Sequence, residues 1–185
     1  MLEPLNKDDF EVVSRWVSDP VDHVKICGNM FTYPLSADRY IRYFVEDAGD
    51  PERRLCFKFI HEGNVVGMAS FSRIDRTNDY GHIGFVAIDP SLRGTGIGAT
   101  MLQELLQKGF RELSFNRIDL VVIESNEKAF SFYTKKMGFR NEGLIRDIIK
   151  AENGYLSWYS LSMLKNEWQE GATSTGNSAA LHSRR

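Results

Sequence analysis

The spacing of apolar residues predicts helices at the start of the chain and strands after them. Phe10, Val13 and Val17 recur every three or four residues, as on one face of a helix, and Asn6 and Asp9 before them can form its cap. A second helical pattern follows, and alternating apolar and polar positions around a short turn then predict a β-hairpin. After a short opening strand, the predicted elements of this half are helices in 6–19 and 36–48, the second capped by Ser36, and a hairpin in 53–74 turning at Glu62-Gly63-Asn64.

The second half of the chain alternates strands and helices. A near-continuous apolar run at 116–123 is typical of a buried strand, and Gly138 stands where a helix would end. The predicted elements are strands in 81–89 and 116–123, helices after Gly96 and in 126–137, and a final pair of strands in 139–150 and 154–164 joined across Glu152-Asn153-Gly154. These elements form one domain, 1–170, with a β-α-β-α core, and the small polar residues of 171–185 predict a disordered tail.

Composition narrows the class of protein. A chain of 185 residues, 42% of them hydrophobic, is long enough to bury one core. The formal net charge of −2 and an isoelectric point near 6.1 give no basic face for nucleic acid, and no apolar run approaches the roughly 18 residues of a membrane span. The start of the chain lacks the pattern of a signal peptide, and Cys27 and Cys56 have neither metal-binding nor redox spacing. We expect a soluble cytoplasmic protein with two buried free thiols, no metal and no nucleic-acid or membrane partner.

Three glycines within five positions stand between the strand at 81–89 and the helix that follows it. At the start of a helix, successive backbone N–H groups point outwards at the positive end of the helix dipole, which is a site for phosphate. Glycines let an anion approach the main chain closely, and an arginine can add a charge-assisted contact. The segment reads Arg93-Gly94-Thr95-Gly96-Ile97-Gly98.

Several phosphate-binding motifs are compatible with a glycine-rich loop, and this one differs from two of them. A nucleoside-triphosphate loop needs a lysine followed by serine or threonine, and no lysine stands in residues 93–98. Dinucleotide folds use G-x-G-x-x-G early in their first βαβ unit, whereas here the spacing is G-x-G-x-G after three predicted strands. A glycine-rich turn that merely links strand to helix remains an alternative.

The loop resembles the R-x-x-G-x-G/A signature of the GNAT superfamily, the acyl-CoA-dependent N-acyltransferases. A second stretch, "SNEKAFSFYTKKMGF" at 125–139, is similar to the other recurring block of that superfamily, in which an asparagine opens a helix that carries a tyrosine and ends in Gly-Phe. The resemblance covers the order of elements from about residue 1 to about residue 168. Its last part looks like the branch that contains ribosomal-protein and spermidine N-acetyltransferases.

The resemblance implies an α/β (α+β) fold with a mixed, mostly antiparallel central sheet, two splayed parallel strands and flanking helices. Acetyl-CoA, as co-substrate, would lie between the splayed strands, with its pyrophosphate on residues 93–98 and its pantetheine arm along the backbone of Val86, Ala87 and Ile88. Asn126 would bind the pantetheine, although an asparagine at that position can also serve only as a helix cap.

The resemblance also implies an attack by an amine on a thioester, which needs a proton acceptor and gains from a proton donor to the leaving thiolate. The superfamily commonly uses the tyrosine seven residues after the asparagine, here Tyr133, as general acid; the alternative is that Tyr133 only packs in an aromatic face. Counting back from the loop places His82 where many relatives have a glutamate, so His82 is the candidate base. The competitors, in order, are Glu124, Asp79 and Asp119, while the position of a second family glutamate holds Val121.

The expected activity is N-acetyl transfer to a primary amine, either a small molecule or a peptide α-amine, and the alternative is a non-catalytic acyl-CoA-binding module. Between Asp8 and Glu52 there are ten acidic and four basic residues, a local balance of −6. Such a rim would steer cationic substrates, unless it is only a solvated helix surface. The large side chains that could form an acceptor pocket, or could equally be core, are Trp16, Phe31, Tyr33 and Tyr40. A homodimer is left open.

Overall fold

Seven strands form one sheet in the computed structural model, which describes residues 1–17, 19–50, 52–151 and 154–168. The strands are β1 (Leu2–Pro4), β2 (Leu55–His61), β3 (Asn64–Asp75), β4 (Tyr80–Ile88), β5 (Arg117–Ile123), β6 (Arg140–Ala151) and β7 (Gly154–Leu164), in the spatial order β1-β2-β3-β4-β5-β7-β6. All predicted strands are confirmed. The turn residues 152 and 153 and the predicted tail, 171–185, lie outside the described residues.

Helices cover both faces of the sheet. They are α1 (Phe10–Arg15), α2 (Pro20–Cys27), α3 (Ala37–Tyr40, continued by wider turns over Ile41–Glu46), α4 (Ile97–Gln107, continued over Lys108–Glu112) and α5 (Glu127–Ser131, continued over Phe132–Lys136). The predicted capping box of Asn6 and Asp9 is confirmed. The apolar pattern missed α2, which is eight residues long and begins where the Asp19 side chain accepts hydrogen bonds from two backbone N–H groups and Pro20 fixes the first turn.

The sheet is antiparallel except where β4 meets β5, which confirms the expected mixed topology. These two strands pair in parallel at only three rungs, the last of which joins His82 to Asp119. Beyond that rung β4 remains paired with β3, and β5 remains paired with β7 along its whole length. The two parallel strands therefore separate towards their carboxyl ends and leave a V-shaped cleft in the middle of the sheet.

Two hydrophobic cores lie on opposite faces of the sheet. The α4 face carries Phe71 and Ile83 against the buried leucines of α4. On the α2 face, Trp16, Tyr40 and Phe44 pack on Met68. Trp16 and Tyr40 are therefore core residues and do not form a pocket wall.

The two cysteines are free and buried, as predicted. In the described ranges, no helix combines the length and apolar character that a membrane span requires. The same ranges contain no group of three or more histidine, cysteine or carboxylate side chains placed to hold a metal ion.

A buried ion pair joins the first helical turn to the sheet. Lys58 Nζ lies 3.1 Å from Asp9 Oδ1, and both side chains are about nine-tenths buried.

Removing one partner of this ion pair would leave the charge of the other buried and unpaired. We expect Lys58→Met to lower the free energy of unfolding by about 3–5 kcal/mol, measured by urea denaturation. The control is Arg15→Met, which breaks the exposed Glu11–Arg15 pair and should cost at most about 1 kcal/mol; equal losses in the two variants would contradict this assignment.

A second ion pair links β5 to β6 across β7. Both terminal nitrogens of the Arg117 guanidinium donate to Glu142 at 2.8 Å, and Ser162 also donates to this carboxylate. The hydrogen bonds from Arg117 and Ser162 lower the pKa of Glu142 from 4.5 to about 2.

Because the pKa of Glu142 in the folded state lies below its value in the unfolded state, the stabilisation by the Arg117–Glu142 pair is present above about pH 4.5 and is lost as the pH falls towards 2. The difference in Tm between the wild type and Glu142→Gln should shrink as the pH falls over this range. The difference in Tm between the wild type and Arg117→Met should shrink in the same way. A difference independent of pH would contradict the prediction.

Candidate active site

The cleft between β4 and β5 opens next to a distortion of β4. The pairing of β3 with β4 shifts between Met68 and Ser70, so β4 carries a bulge there, and Phe85 in this bulge has a φ of +53°. Such a backbone conformation is strained for a bulky side chain and costs on the order of 1–3 kcal/mol. The Phe85 ring is held by edge contacts with Tyr43 and Phe44, at centroid distances of 5.2 and 4.9 Å. The α2-face core thus stabilises a strained strand at the mouth of the cleft.

The bulge is followed by the strand edge predicted to bind pantetheine. Asp89 donates its backbone N–H to Val66 of β3, and backbone groups alternate in direction along a strand. The groups of Ala87 therefore face β3, while those of Val86 and Ile88 face the open cleft. Two of the three predicted positions thus present backbone groups to the cleft, where the Ile88 carbonyl also accepts from Arg93 Nε at 3.4 Å.

The glycine loop presents unpaired N–H groups at the start of α4. Gly96 is the residue before the helix and has a φ of +101°, and no atom lies within 4 Å of a Cβ placed on it. Thr95 donates to Leu92, but the N–H groups of Gly94, Gly96, Ile97 and Gly98 have no acceptor in the described chain. Four unpaired donors at a helix N-terminus fit a pyrophosphate group.

The Arg93 side chain turns away from these donors. Its guanidinium donates to the Asp22 carboxylate of α2 at 3.1 Å and to the Trp16 carbonyl at 3.3 Å. Burial opposes ionisation of Asp22, but hydrogen bonds from Arg93 and Lys25 outweigh it and lower the pKa of this carboxyl. Arg93 therefore fastens the loop to the helices on the α2 face, and the groups of the loop left open to an anion are its backbone N–H groups.

Tyr133 lies in the α4-face core, beside the cleft. Its side chain is 8% exposed, and its ring packs edge-on against Phe132 and Phe139. Burial raises the pKa of Tyr133 well above its ordinary value, which keeps the hydroxyl protonated. This hydroxyl has no hydrogen-bond partner among the described residues, yet it is not among their fully buried unpaired polar atoms. Tyr133 can therefore pack in the α4-face core and still use its hydroxyl as a proton donor.

Asn126 begins α5 at the end of β5. Its side-chain oxygen accepts from the Ala129 N–H at 3.3 Å, so the capping role is confirmed. Its amide NH₂ group has no partner in the described part of the chain and remains available for a ligand.

His82 is buried at the last paired rung of the cleft, and both ring nitrogens are engaged. Nδ1 lies 2.6 Å from Asp119 Oδ1, which also accepts from the Tyr80 hydroxyl at 2.8 Å. Burial opposes ionisation of Asp119, but hydrogen bonds from His82 and Tyr80 lower the pKa of this carboxyl, so it is an anionic acceptor. Nε2 lies 2.8 Å from the Arg73 guanidinium, which can only donate. These contacts assign the ring proton to Nδ1, which donates to Asp119, and leave Nε2 as an acceptor that Arg73 covers.

The competing carboxylates lie at different ends of the cleft. Glu124 follows the open end of β5, is exposed, and makes no ion pair in the described residues. Asp79 precedes β4 at the closed end, where its carbonyl accepts from Asn116. Asp119 is committed to His82, and Val121 lies on β5 beyond the last rung.

Sequence reasoning missed three side chains on the α2 face. Arg73 covers His82; Arg54 lies 3.5 Å above the Tyr43 ring; and His23 is buried with its Nδ1 unpaired. No local pattern marks them, because each is brought to the site by the sheet register or by helix packing.

Two open cavities flank the cleft. One of about 300 Å³ lies between α2, the end of β5 and β7, and is lined by Pro20, Val21, Val24, Lys25, Ile123, Ser125 and Leu156. The other, of about 420 Å³, lies beside the glycine loop under the β2–β3 turn, and is lined by Phe59, His61, Glu62, Leu92, Thr95, Gly96, Ile97 and Thr100. The first cavity reaches the open end of the cleft from the α2 face, opposite to α4.

Comparison with known proteins agrees with this arrangement. Residues 22–139 match the model of the acetyltransferase (GNAT) family. The chain is 27% identical over 169 residues to an uncharacterised N-acetyltransferase, p20, of Bacillus licheniformis, covering 90% of this chain and 93% of that protein. It is 36% identical over 144 residues to the glucosamine 6-phosphate N-acetyltransferase of Trypanosoma brucei brucei, covering 71% and 90%.

Solved structures show the same fold. The spermidine N-acetyltransferase of Vibrio cholerae, in complex with CoA and spermine, superposes with a TM-score of 0.78 at 18% identity, over 91% of this chain and 97% of that one. The family resemblance of the two sequence motifs is confirmed. The chain belongs to the acetyltransferase (GNAT) family and is an acyl-CoA-dependent N-acetyltransferase.

Proposed function

We propose that the chain transfers the acetyl group by direct attack of a primary amine within the cleft between β4 and β5. The observation that carries this proposal is that the opened strand pair lies next to the unpaired N–H groups of Gly94, Gly96, Ile97 and Gly98. Acetyl-CoA supplies the activated thioester. The strand edge at Val86 and Ile88 would hold its pantetheine arm, the N–H groups of the loop would hold its pyrophosphate, and the Asn126 amide would reach the arm from the other side of the cleft.

Two side chains would move the protons. The Tyr133 hydroxyl, protonated and unpaired, would donate to the leaving thiolate. His82 would take a proton from the amine at Nε2 while Nδ1–H stays bound to Asp119, an arrangement in which the carboxylate fixes the tautomer and stabilises the imidazolium that forms. Since Arg73 covers Nε2, this role requires the guanidinium to move aside when the acceptor binds.

The acceptor amine would enter from the α2 face through the cavity at α2 and β7. Relatives act on chemically different amines, since one is named for glucosamine 6-phosphate and a structural neighbour binds spermine. The names of these proteins therefore do not indicate whether the acceptor of this chain is anionic or cationic. That charge has to be inferred from the side chains of the site.

Release of free thiol from acetyl-CoA, measured against a library of primary amines, tests the proposal. Turnover with at least one amine is expected, and thiol release with none of them would contradict the proposal even if acetyl-CoA binds. On the best amine, His82→Gln should lower kcat/KM by roughly 10²-fold or more, the usual contribution of a general base, whereas Glu124→Gln should change it by less than about threefold. If Glu124→Gln is the variant that loses activity, the base is Glu124 instead.

A further inference from the structure

Two arginines on the α2 face of the cleft have no carboxylate partner in the described residues. Arg54 lies over the Tyr43 ring and donates to the Tyr43 carbonyl at 2.9 Å. The Arg73 guanidinium lies 2.8 Å from Nε2 of His82. Neither guanidinium belongs to an ion pair there.

In addition, one hydrogen-bond donor of Arg54 has no acceptor among the described residues. Its Nε is fully buried and has no hydrogen-bond partner among the described residues. A buried, unpaired donor on a charged group costs free energy, because water no longer solvates it and no acceptor replaces the water. An anion bound at this position would supply the missing acceptor.

Both arginines lie near the last paired rung of β4 and β5, where the cleft begins. Arg54 directly precedes β2 and Arg73 lies on the neighbouring strand β3, where Leu55 pairs with Phe71 and the Ile74 N–H donates to the Arg53 carbonyl. Burial raises the pKa of Tyr43, and the charges of both arginines partly oppose that rise. The Tyr43 ring contacts Phe85 in the β4 bulge, and Arg73 reaches the last paired rung through His82. The corner formed by Arg54, Tyr43 and Arg73 therefore borders the point where the strands separate.

Five of the ten acidic residues expected to attract cations have a basic partner in the described residues. The ones with a basic partner are Asp9 with Lys58, Glu11 with Arg15, Asp22 with Arg93 and Lys25, Asp50 with Arg53, and Glu52 with Arg76. Asp119, the carboxylate at the rung itself, is bound to His82 and Tyr80. The negative balance of the first helices is thus partly neutralised within the protein, while the corner carries two positive charges without a carboxylate partner in the described residues.

We propose that the acceptor is a primary amine that also carries an anionic group, a carboxylate or a phosphate, bound by Arg54 and Arg73. This inference rests on the proposed function. Pairing with the anion withdraws Arg73 from His82 and uncovers the Nε2 lone pair. The amine, which has lost its ammonium proton to solvent, then attacks the thioester and passes its next proton to Nε2, while Tyr133 protonates the leaving thiolate. A substrate without the anion leaves Arg73 in place, so the same contact that selects the acceptor also prepares the base.

The test compares amines that differ only in the group at the far end. ω-Amino acids, aminoalkyl phosphates, n-alkylamines and α,ω-diamines of matched chain lengths are each assayed by thiol release at saturating acetyl-CoA. At least one of the two anionic series should exceed the neutral series in kcat/KM by roughly ten- to a hundredfold, the size expected of charge-assisted hydrogen bonds. A gain confined to one series identifies the anion as carboxylate or phosphate.

Arg73→Gln should bring the ratio of anionic to neutral kcat/KM close to one. Arg73 is exposed, so this variant is expected to fold. Arg39→Gln, which removes another exposed arginine on α3, should leave the ratio in place. Neutral amines or diamines that match or exceed both anionic series would overturn the inference while the acetyltransferase proposal stands. Thiol release with no amine of any series would overturn both.

Discussion

Replacing Gly96 with aspartate should weaken acetyl-CoA binding by at least about a hundredfold while the domain remains folded. The carboxylate would stand among the unpaired N–H groups of the loop, where the pyrophosphate has to approach. Two unit charges about 4 Å apart repel by roughly 4 kcal/mol at the effective dielectric constant of a protein surface, which corresponds to a factor near 10³ in affinity. Isothermal titration with acetyl-CoA measures the effect, and thermal denaturation checks the fold.

Strain must be separated from charge in this experiment. Gly96 has a φ of +101°, so any side chain there disturbs the backbone, although no neighbouring atom would be in contact with it. Gly96→Asn has the same shape as the aspartate variant without the charge, and it should retain much more affinity. Gly143→Asp, at another glycine with positive φ and open surroundings on β6, controls for the general effect of such a substitution. Equal affinities of the aspartate and asparagine variants would remove electrostatics from the explanation, and unchanged affinity in both would remove the loop from the site.

The backbone geometry of the glycine loop, where we propose that the cofactor binds, could be predicted from the sequence because its signals are local. The loop at 93–98 places its glycines and the start of α4 within a few residues, and the hairpin around Gly63 and the helix ended by Gly138 are equally local. Each depends on a backbone conformation or a periodicity that a short window contains. Helix α2 was missed because it is too short for a clear apolar period, even though Asp19 and Pro20 mark its start.

The contacts around the proposed acceptor site could not be predicted, although His82 and Asp119 were candidates, since these contacts depend on register and packing between distant segments. His82 lies 37 residues from Asp119, and the two meet only because β4 and β5 pair in parallel at that rung. Arg73 reaches His82 through the adjacent pairing of β3 with β4. A count of acidic residues between positions 8 and 52 suggested a cation-binding rim, but four of their six basic partners come from outside that segment, namely Arg53, Lys58, Arg76 and Arg93.

Arg93 illustrates the same limit within a recognised motif. The motif suggests a phosphate contact, but the side chain is 3.1 Å from Asp22 of α2, a residue 71 positions earlier. The loop that would bind the pyrophosphate is thereby fastened to the helix that lines the acceptor cavity. The two substrates would therefore bind to parts of the chain that are joined by one ion pair.

Tyr133→Phe should lower kcat by roughly 10²- to 10⁴-fold, the range of a general-acid contribution. The substitution removes only the hydroxyl, and this group has no hydrogen bond in the described chain, so no internal contact is lost. The ring contacts with Phe132 and Phe139 remain. Stability and acetyl-CoA affinity should thus stay close to those of the wild type, which a purely structural role would also give, and only kcat separates the two roles.

The leaving group provides the decisive control for Tyr133. An acyl donor whose thiol is more acidic than that of CoA needs less help from a proton donor, so the loss caused by Tyr133→Phe should shrink with such a donor. Phe132→Leu, which changes the neighbouring ring of the same helix, should reduce kcat far less and by the same factor with either donor. A Tyr133→Phe enzyme with nearly normal kcat on acetyl-CoA would return Tyr133 to the α4-face core as a packing residue, and the thiolate would then take its proton from water.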